Sequence, residues 1–143
     1  MSRPPPGTRG AYRAFLPLQT RWADNDELGH MNNAAYLALV DTAVSYWKIG
    51  QGITLRGPGA YRFVVVETGM RYHAELGFPD PVTAGLRIGH LGRSSLRFEV
   101  GLFAGDRESA NAEGLFAMVL TDADGKPLAL PGDLRRVFER IVT

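Results

Sequence analysis

The stretch from Ala34 to Ile49, AAYLALVDTAVSYWKI, constrains the fold of this chain more than any other. Its polar residues are few, and Asp41, Ser45 and Lys48 fall at i, i+4 and i+7 on one narrow stripe. The rest of the cylinder is apolar or small, so the spacing predicts a helix buried on most of its sides. Asn32 and Asn33 stand before it as good caps, and Gly50 and Gly52 follow it as terminators. Such a helix needs a partner that surrounds it.

Strand patterns supply that partner. A first strand is expected near Phe15–Ala23, with Leu16, Leu18, Thr20 and Trp22 on one face and Gln19 and Arg21 on the other. Tyr61–Glu75 is extended, and Val82–Leu91 and Leu96–Phe103 alternate apolar with polar or small residues. Ala112–Thr121 is apolar on both faces, which suits an interior strand. Gly92-Arg93-Ser94, Gly105-Asp106 and Asp124-Gly125 are turn signals between strands, and Asp133–Ile141 reads as a short closing helix. The fold class is therefore α+β: one curved antiparallel sheet wrapped around a central helix. The dimensions agree, since about 16 helical residues span about 24 Å and five strands about 4.8 Å apart cover a similar width. A single sheet on one helix leaves open edges, so a homodimer or homotetramer is expected.

The chain of 143 residues is one domain in length, and its formal net charge of +1 gives no field to attract nucleic acid or an acidic membrane. With no cysteine, thiol nucleophiles and disulfides are excluded, and the three scattered histidines show no metal-ligand spacing. Residues 1–11, with three consecutive prolines, read as a flexible arm ahead of a domain over 12–143. No apolar core of a signal peptide and no membrane-length apolar run is seen, so a cytoplasmic location is expected.

The densest polar cluster is Arg21–Asn33, RWADNDELGHMNN, at the mouth of the helix. Asp24, Asp26, Glu27, His30, Asn32 and Asn33 share this loop. The helix N-terminus beyond it offers unpaired N–H groups that can hold an oxyanion. A carboxylate beside them can attack a carbonyl or deprotonate a water that does. From composition alone the reading of these residues as turn and cap residues wins, because Asp and Asn are common in turns for local hydrogen-bonding reasons.

The same stretch, followed by Tyr36, resembles the D-x-D-x-x-G-H-x-N-N-x-x-Y signature of the 4-hydroxybenzoyl-CoA thioesterase-like hotdog family. His90–Phe98 is similar to that family's G-x-S hairpin, and Ala112-Glu113-Gly114, Asp122–Pro127 and Leu130-Pro131 are similar to its last strand and tail. The resemblance implies a hotdog fold and metal-independent, cofactor-free hydrolysis of an acyl-CoA. It implies Asp26 as the reacting carboxylate, Asp24 as its support, His30 in the same motif, and the backbone N–H at or near Asn33 as oxyanion donor. The G-H-x-N-N form departs from the founding aromatic enzymes and is closer to the general acyl-CoA branch. For the anionic end of coenzyme A, Arg93 is the first choice, with Ser94 and Ser95 in its hairpin and Arg71 as a further candidate. Arg97 and Glu67 read better as exposed strand residues, and His73 as a residue that packs or caps a strand end. Two other readings fit the same pattern: a hotdog hydratase or dehydratase, which pairs a His with an acid across a dimer, and a non-catalytic acyl-CoA-binding module.

Overall fold

The computed structural model describes residues 3–143. Its elements are β1 (Ala14–Leu18), α1 (Asn33–Gly50), β2 (Arg62–Tyr72), β3 (Val82–Leu91), β4 (Ser95–Ala104), β5 (Ala112–Thr121) and α2 (Gly132–Glu139). The five strands form one sheet in the order β1-β3-β4-β5-β2, and every pairing is antiparallel. This is the hotdog arrangement: a curved sheet around one long helix.

The alternation read from the sequence sets the two faces. Leu96, Phe98, Val100 and Leu102 of β4 are buried under α1, as are Ala84, Leu86 and Ile88 of β3 and Phe116, Met118 and Leu120 of β5. From the helix come Tyr36, Leu39, Val40, Ala43, Val44 and Trp47. Contact is closest at Gly114, where an added Cβ would lie 2.7 Å from the Met70 sulfur and 2.8 Å from Val40 Cγ2. Only a glycine lets the helix settle that near the sheet.

The first strand ends earlier than its alternation suggests. It stops at Leu18, and Trp22–Asp24 forms a 3-10 turn instead. The Asp24 carboxylate accepts from the Arg21 N–H at 2.8 Å and bends the chain there. Trp22 is thereby turned outward and is 74% exposed, although Thr20 is still buried. Lys48 likewise leaves the polar stripe expected for it. It is 5% exposed, with its ammonium 4.4 Å from the Phe63 ring centre, because its flexible stem folds under the helix rather than away from it.

Where the sequence suggests a loose arm over residues 1–11, the described part packs on the sheet's convex side. Thr8 pairs with Ser109, the Ala110 N–H donates to Gly7 O at 2.9 Å, and Arg9 stacks 4.9 Å over Phe103. These backbone bonds tie down a segment whose composition alone suggests disorder.

The two sheet edges differ. β1 is short and carries Pro17, which blocks pairing. The β2 edge is 11 residues long, with Val65 and Val66 exposed at a bulge between Val65 and Glu67. Among the described residues nothing covers it. No helix among them is long and apolar enough to cross a membrane.

Candidate active site

The Arg21–Asn33 loop is built by its own polar side chains. Asp24 is buried and accepts from Arg21 Nε at 3.1 Å and Nη2 at 2.8 Å, and its backbone O accepts from the Asn32 N–H at 2.9 Å. The hydrogen bonds from Arg21 hold its carboxyl below the usual carboxylate range. Asn25 clasps Phe78, accepting from its N–H at 3.0 Å and donating to its carbonyl at 3.2 Å. Gly29, at φ 81°, closes the turn in a conformation that side chains with a Cβ rarely adopt. Asn32 is the cap: its Oδ1 accepts from Ala34 N at 2.8 Å and Ala35 N at 3.4 Å.

Asp26 is exposed at the tip of this loop. Its Oδ1 accepts from Leu28 N at 2.8 Å and His30 N at 3.3 Å, and its own N–H donates to His30 O at 2.7 Å. One carboxylate oxygen is thus fixed, while Oδ2 has no protein partner among the described residues. Asn33 is the first helical residue, and its backbone N–H likewise donates to no protein group among them.

Asp26 and Asn33 both line one cleft of about 360 Å³, walled also by His30, Tyr36, Tyr72 and His73. Tyr36 is buried, with its ring edge-on to Tyr72 at 5.0 Å, and burial raises its phenol above the usual range. His30 Nε2 lies 3.1 Å from Glu75, and His73 Nε2 lies 2.9 Å from Glu113. A larger groove of about 730 Å³ lies between β1 and α1. Its walls are mainly Leu16, Leu18, Leu39 and Tyr46, and its one carboxylate, Asp24, is already spent on Arg21. The two aspartates of the D-x-D pair therefore serve different cavities, and the smaller cleft holds the unengaged acid and donor. Among the described residues no group of three His, Asp or Glu side chains is arranged to hold a metal ion.

The structure gathers Asp26, His30 and Asn33 and leaves the other candidates apart. Arg93, Ser94 and Ser95 sit at the opposite end of the protomer. There Leu130 N donates to Arg93 O and Leu120 N to Ser94 O, both at 2.8 Å, and Arg135 reaches Gly92 O. The 18 residues of α1 separate these ends, a span of about 27 Å. Arg71 pairs in register with Glu113 on the convex face, and Glu67 pairs with Ala117 on that same face. Arg97 is bound to Glu99 at 3.0 Å.

The residues that sequence reasoning missed are the partners of His73. Glu113 comes from β5, forty residues away, and its Oε2 accepts from Tyr12 Oη at 2.8 Å. Burial raises the Glu113 carboxyl, but hydrogen bonds from Tyr12, His73 and the Gly7 backbone outweigh it and hold the group below its ordinary value. Burial and the Glu113 bond push the Tyr12 phenol up. Only the β2–β5 register, Arg71 opposite Glu113 and Tyr72 opposite Ala112, could have signalled the contact.

The chain resembles known proteins in sequence and fold. The family model of the Thioesterase superfamily matches residues 28–110. Among solved structures, the PA5185 protein from Pseudomonas aeruginosa strain PAO1 is 37% identical, with a TM-score of 0.91 over 98% of each chain. A thioesterase from Thermus thermophilus, solved with coenzyme A and Zn, is 34% identical, with a TM-score of 0.72 over 92% of this chain and 93% of that one. Slr0204, a 1,4-dihydroxy-2-naphthoyl-CoA thioesterase from Synechocystis, is 15% identical and has a TM-score of 0.79 over 87% of this chain and 93% of its own, a likeness of fold. A comparison with curated proteins finds no match.

Proposed function

The chain belongs to the Thioesterase superfamily, and from that premise we propose that it hydrolyses an acyl thioester of coenzyme A to the carboxylic acid and free thiol. The observation that carries this reading is the pairing of two unengaged groups in one cleft: Asp26 Oδ2 and the Asn33 N–H. Asp26 supplies the base that deprotonates a water, or itself attacks the carbonyl. The Asn33 N–H, at the positive end of α1, stabilises the charge that develops on the carbonyl oxygen. Asp24 acts at one remove, by shaping the loop with Arg21. The motif form favours an aliphatic acyl group over an aromatic one.

The protein acts as a dimer in this reading. A two-fold axis between two copies of one edge strand sets them antiparallel. Pairing through β2 would carry the Arg93-Ser94-Ser95 hairpin of the partner toward the end of the sheet that holds Asp26, where a guanidinium fork suits phosphate oxygens. The Thermus thermophilus thioesterase solved with coenzyme A supports the choice of thioester.

The test is thiol release across a panel of aliphatic and aromatic acyl-CoA substrates, with wild type beside Asp26→Asn. The amide keeps the Oδ1 hydrogen bonds but is not a base, so kcat is expected to fall about 10²–10⁴-fold. Binding of a non-hydrolysable acyl-CoA analogue should persist. Near-native turnover by Asp26→Asn would remove Asp26 from the chemistry, and hydration of an enoyl-CoA without thiol release would replace the hydrolase by a hydratase.

A further inference from the structure

The groove of about 730 Å³ between β1 and α1 takes no part in the chemistry argued above. Leu16 and Leu18 wall it from β1, and Ala35, Ala38, Leu39 and Thr42 wall it from α1. Arg21 and Asp24 line the end beside the N-terminus of α1, and Tyr46 lines the end farther along the helix. The Thr42 hydroxyl donates to Ala38 O of its own helix at 2.8 Å, so the middle of the groove holds no free hydroxyl hydrogen. An apolar hollow of this size on a surface marks a place of contact.

The helix beside the hollow carries a bulge that matches it. Ala34, Ala38, Thr42 and Tyr46 form one i+4 ridge on the outer side of α1, with Ile49 next to it. All five are exposed, Tyr46 at 59% and Ile49 at 54%. The ridge is unequal about Thr42. Toward the N-terminus it has alanines beside the hollow, and toward the C-terminus it has the two large side chains. A two-fold axis at Thr42 lays a second α1 antiparallel on the first. Tyr46, four residues after Thr42, then stands over Ala38, four before it, in both directions. Ile49 meets Ala35 in the same way. Each copy's bulge enters the other's hollow, as an isologous contact requires.

Charge agrees with this placement. The Arg21 side chain is 74% exposed, with Nε and Nη2 on Asp24 and Nη1 without a protein partner among the described residues. Antiparallel packing brings to it the C-terminal, partly negative end of the second α1. Asp41, the one exposed charge of α1, lies about 100° round the helix from Thr42, on the side away from Leu39 and the hollow.

We infer that this face is an interface between two copies of the chain, in which Tyr46 of each fills the β1–α1 groove of the other. β1 and β2 are opposite edges of the sheet. The contact therefore does not compete with pairing through β2, and the two together assemble four chains. The inference goes beyond the hydrolase reading and does not depend on it.

Sedimentation at one fixed protomer concentration tests it. The wild type is expected as four chains. Ala38→Tyr fills the hollow at a position that is exposed within the protomer, and is expected to sediment as two chains. Tyr46→Ala removes the bulge and is expected to raise the dissociation constant of this contact at least about tenfold. Ala38→Tyr combined with Tyr46→Ala exchanges bulge and hollow. This double variant is expected to return to four chains, which separates a loss of fit from a loss of fold. An Ala38→Tyr variant of wild-type mass would overturn the inference, and so would a double variant that stays at two chains. A wild type of two chains that Ala38→Tyr leaves intact would assign the pairing to β2 alone, and a monomeric wild type would end the inference as well.

Discussion

Lys48→Met is expected to stabilise the protein at neutral pH, and to do so less as pH rises. The Lys48 ammonium has no salt-bridge partner among the described residues. Its neighbours are the Met118 sulfur at 3.4 Å and the rings of Phe63 and Phe98, at 4.4 and 5.8 Å. Burial, against the weaker opposing pull of Asp41, brings its pKa from 10.5 down to about 8. At about 1.4 kcal/mol per pH unit, holding the charged form in the fold costs about 3 kcal/mol. Attraction to the two rings returns about 0.5–2 kcal/mol. Met keeps the unbranched stem and discards the charge, so a net gain of about 1–3 kcal/mol is expected. The pH dependence follows from the depressed value. Below about pH 8 both folded and unfolded chains carry the proton and the cost is full. Between there and the unfolded value near 10.5 the native state loses its proton first, so the unfolded state binds more protons and wild-type stability rises with pH. Above that the cost is gone. The assay is urea denaturation of both proteins at about pH 7 and about pH 10.5, at one fixed protomer concentration. A stability gap that stays constant between the two pH values, or a variant less stable at neutral pH, would refute the reasoning.

Asp24→Asn should lower stability by about 1–2 kcal/mol, a figure kept small because the Arg21 guanidinium is exposed to water, and should leave turnover of the folded enzyme far nearer wild type than Asp26→Asn does. The contribution of Asp24 is present above about pH 4 and is lost as pH falls through its lowered folded value, which thermal melts from about pH 6 to about pH 2 would follow. Arg93→Ala is expected to raise KM for acyl-CoA about tenfold with kcat nearly unchanged, since a phosphate contact is made alike in ground and transition states; steady-state kinetics with an unchanged KM would remove Arg93 from the site. Val66→Lys puts like charges on the exposed β2 edge, and sedimentation should show dissociation together with loss of turnover, whereas an active monomer would rule out the shared site.

What the sequence made legible followed from periodicity. β3 and β4 fall where alternation puts them, because one face of each is buried under a single helix, and β5 falls where its run of residues apolar on both faces lies. The first strand failed at Thr20, whose burial continued the pattern past Leu18. The Arg21–Asp24 bonds then overrode it, and a side-chain-to-backbone turn leaves no mark in hydrophobic periodicity. Lys48 failed for a related reason: charge marks a face as solvated only when the side chain cannot bend its head inward between aromatic rings. In the site, Asp26, His30 and Asn33 were within reach because they are neighbours in one loop. The contacts of His73 with Glu113 and of Glu113 with Tyr12 were not, since these residues meet through strand register on the other face of the sheet.

The dimension of the central helix turns this local success into a statement about assembly. The N-terminus of α1 carries the cleft, and its C-terminus lies by α2, where Arg140 Nη1 reaches Gln51 at 3.0 Å. The basic hairpin at Arg93 belongs to that second end. A coenzyme A thioester needs its carbonyl at Asp26 and, in the reading argued above, its phosphates at a guanidinium. In one protomer those groups stand at opposite ends of α1, whose 18 residues span about 27 Å. In that same reading, a second copy set antiparallel along β2 would bring them together by symmetry, and the uncovered edge at Val65 and Val66 would then be part of the site.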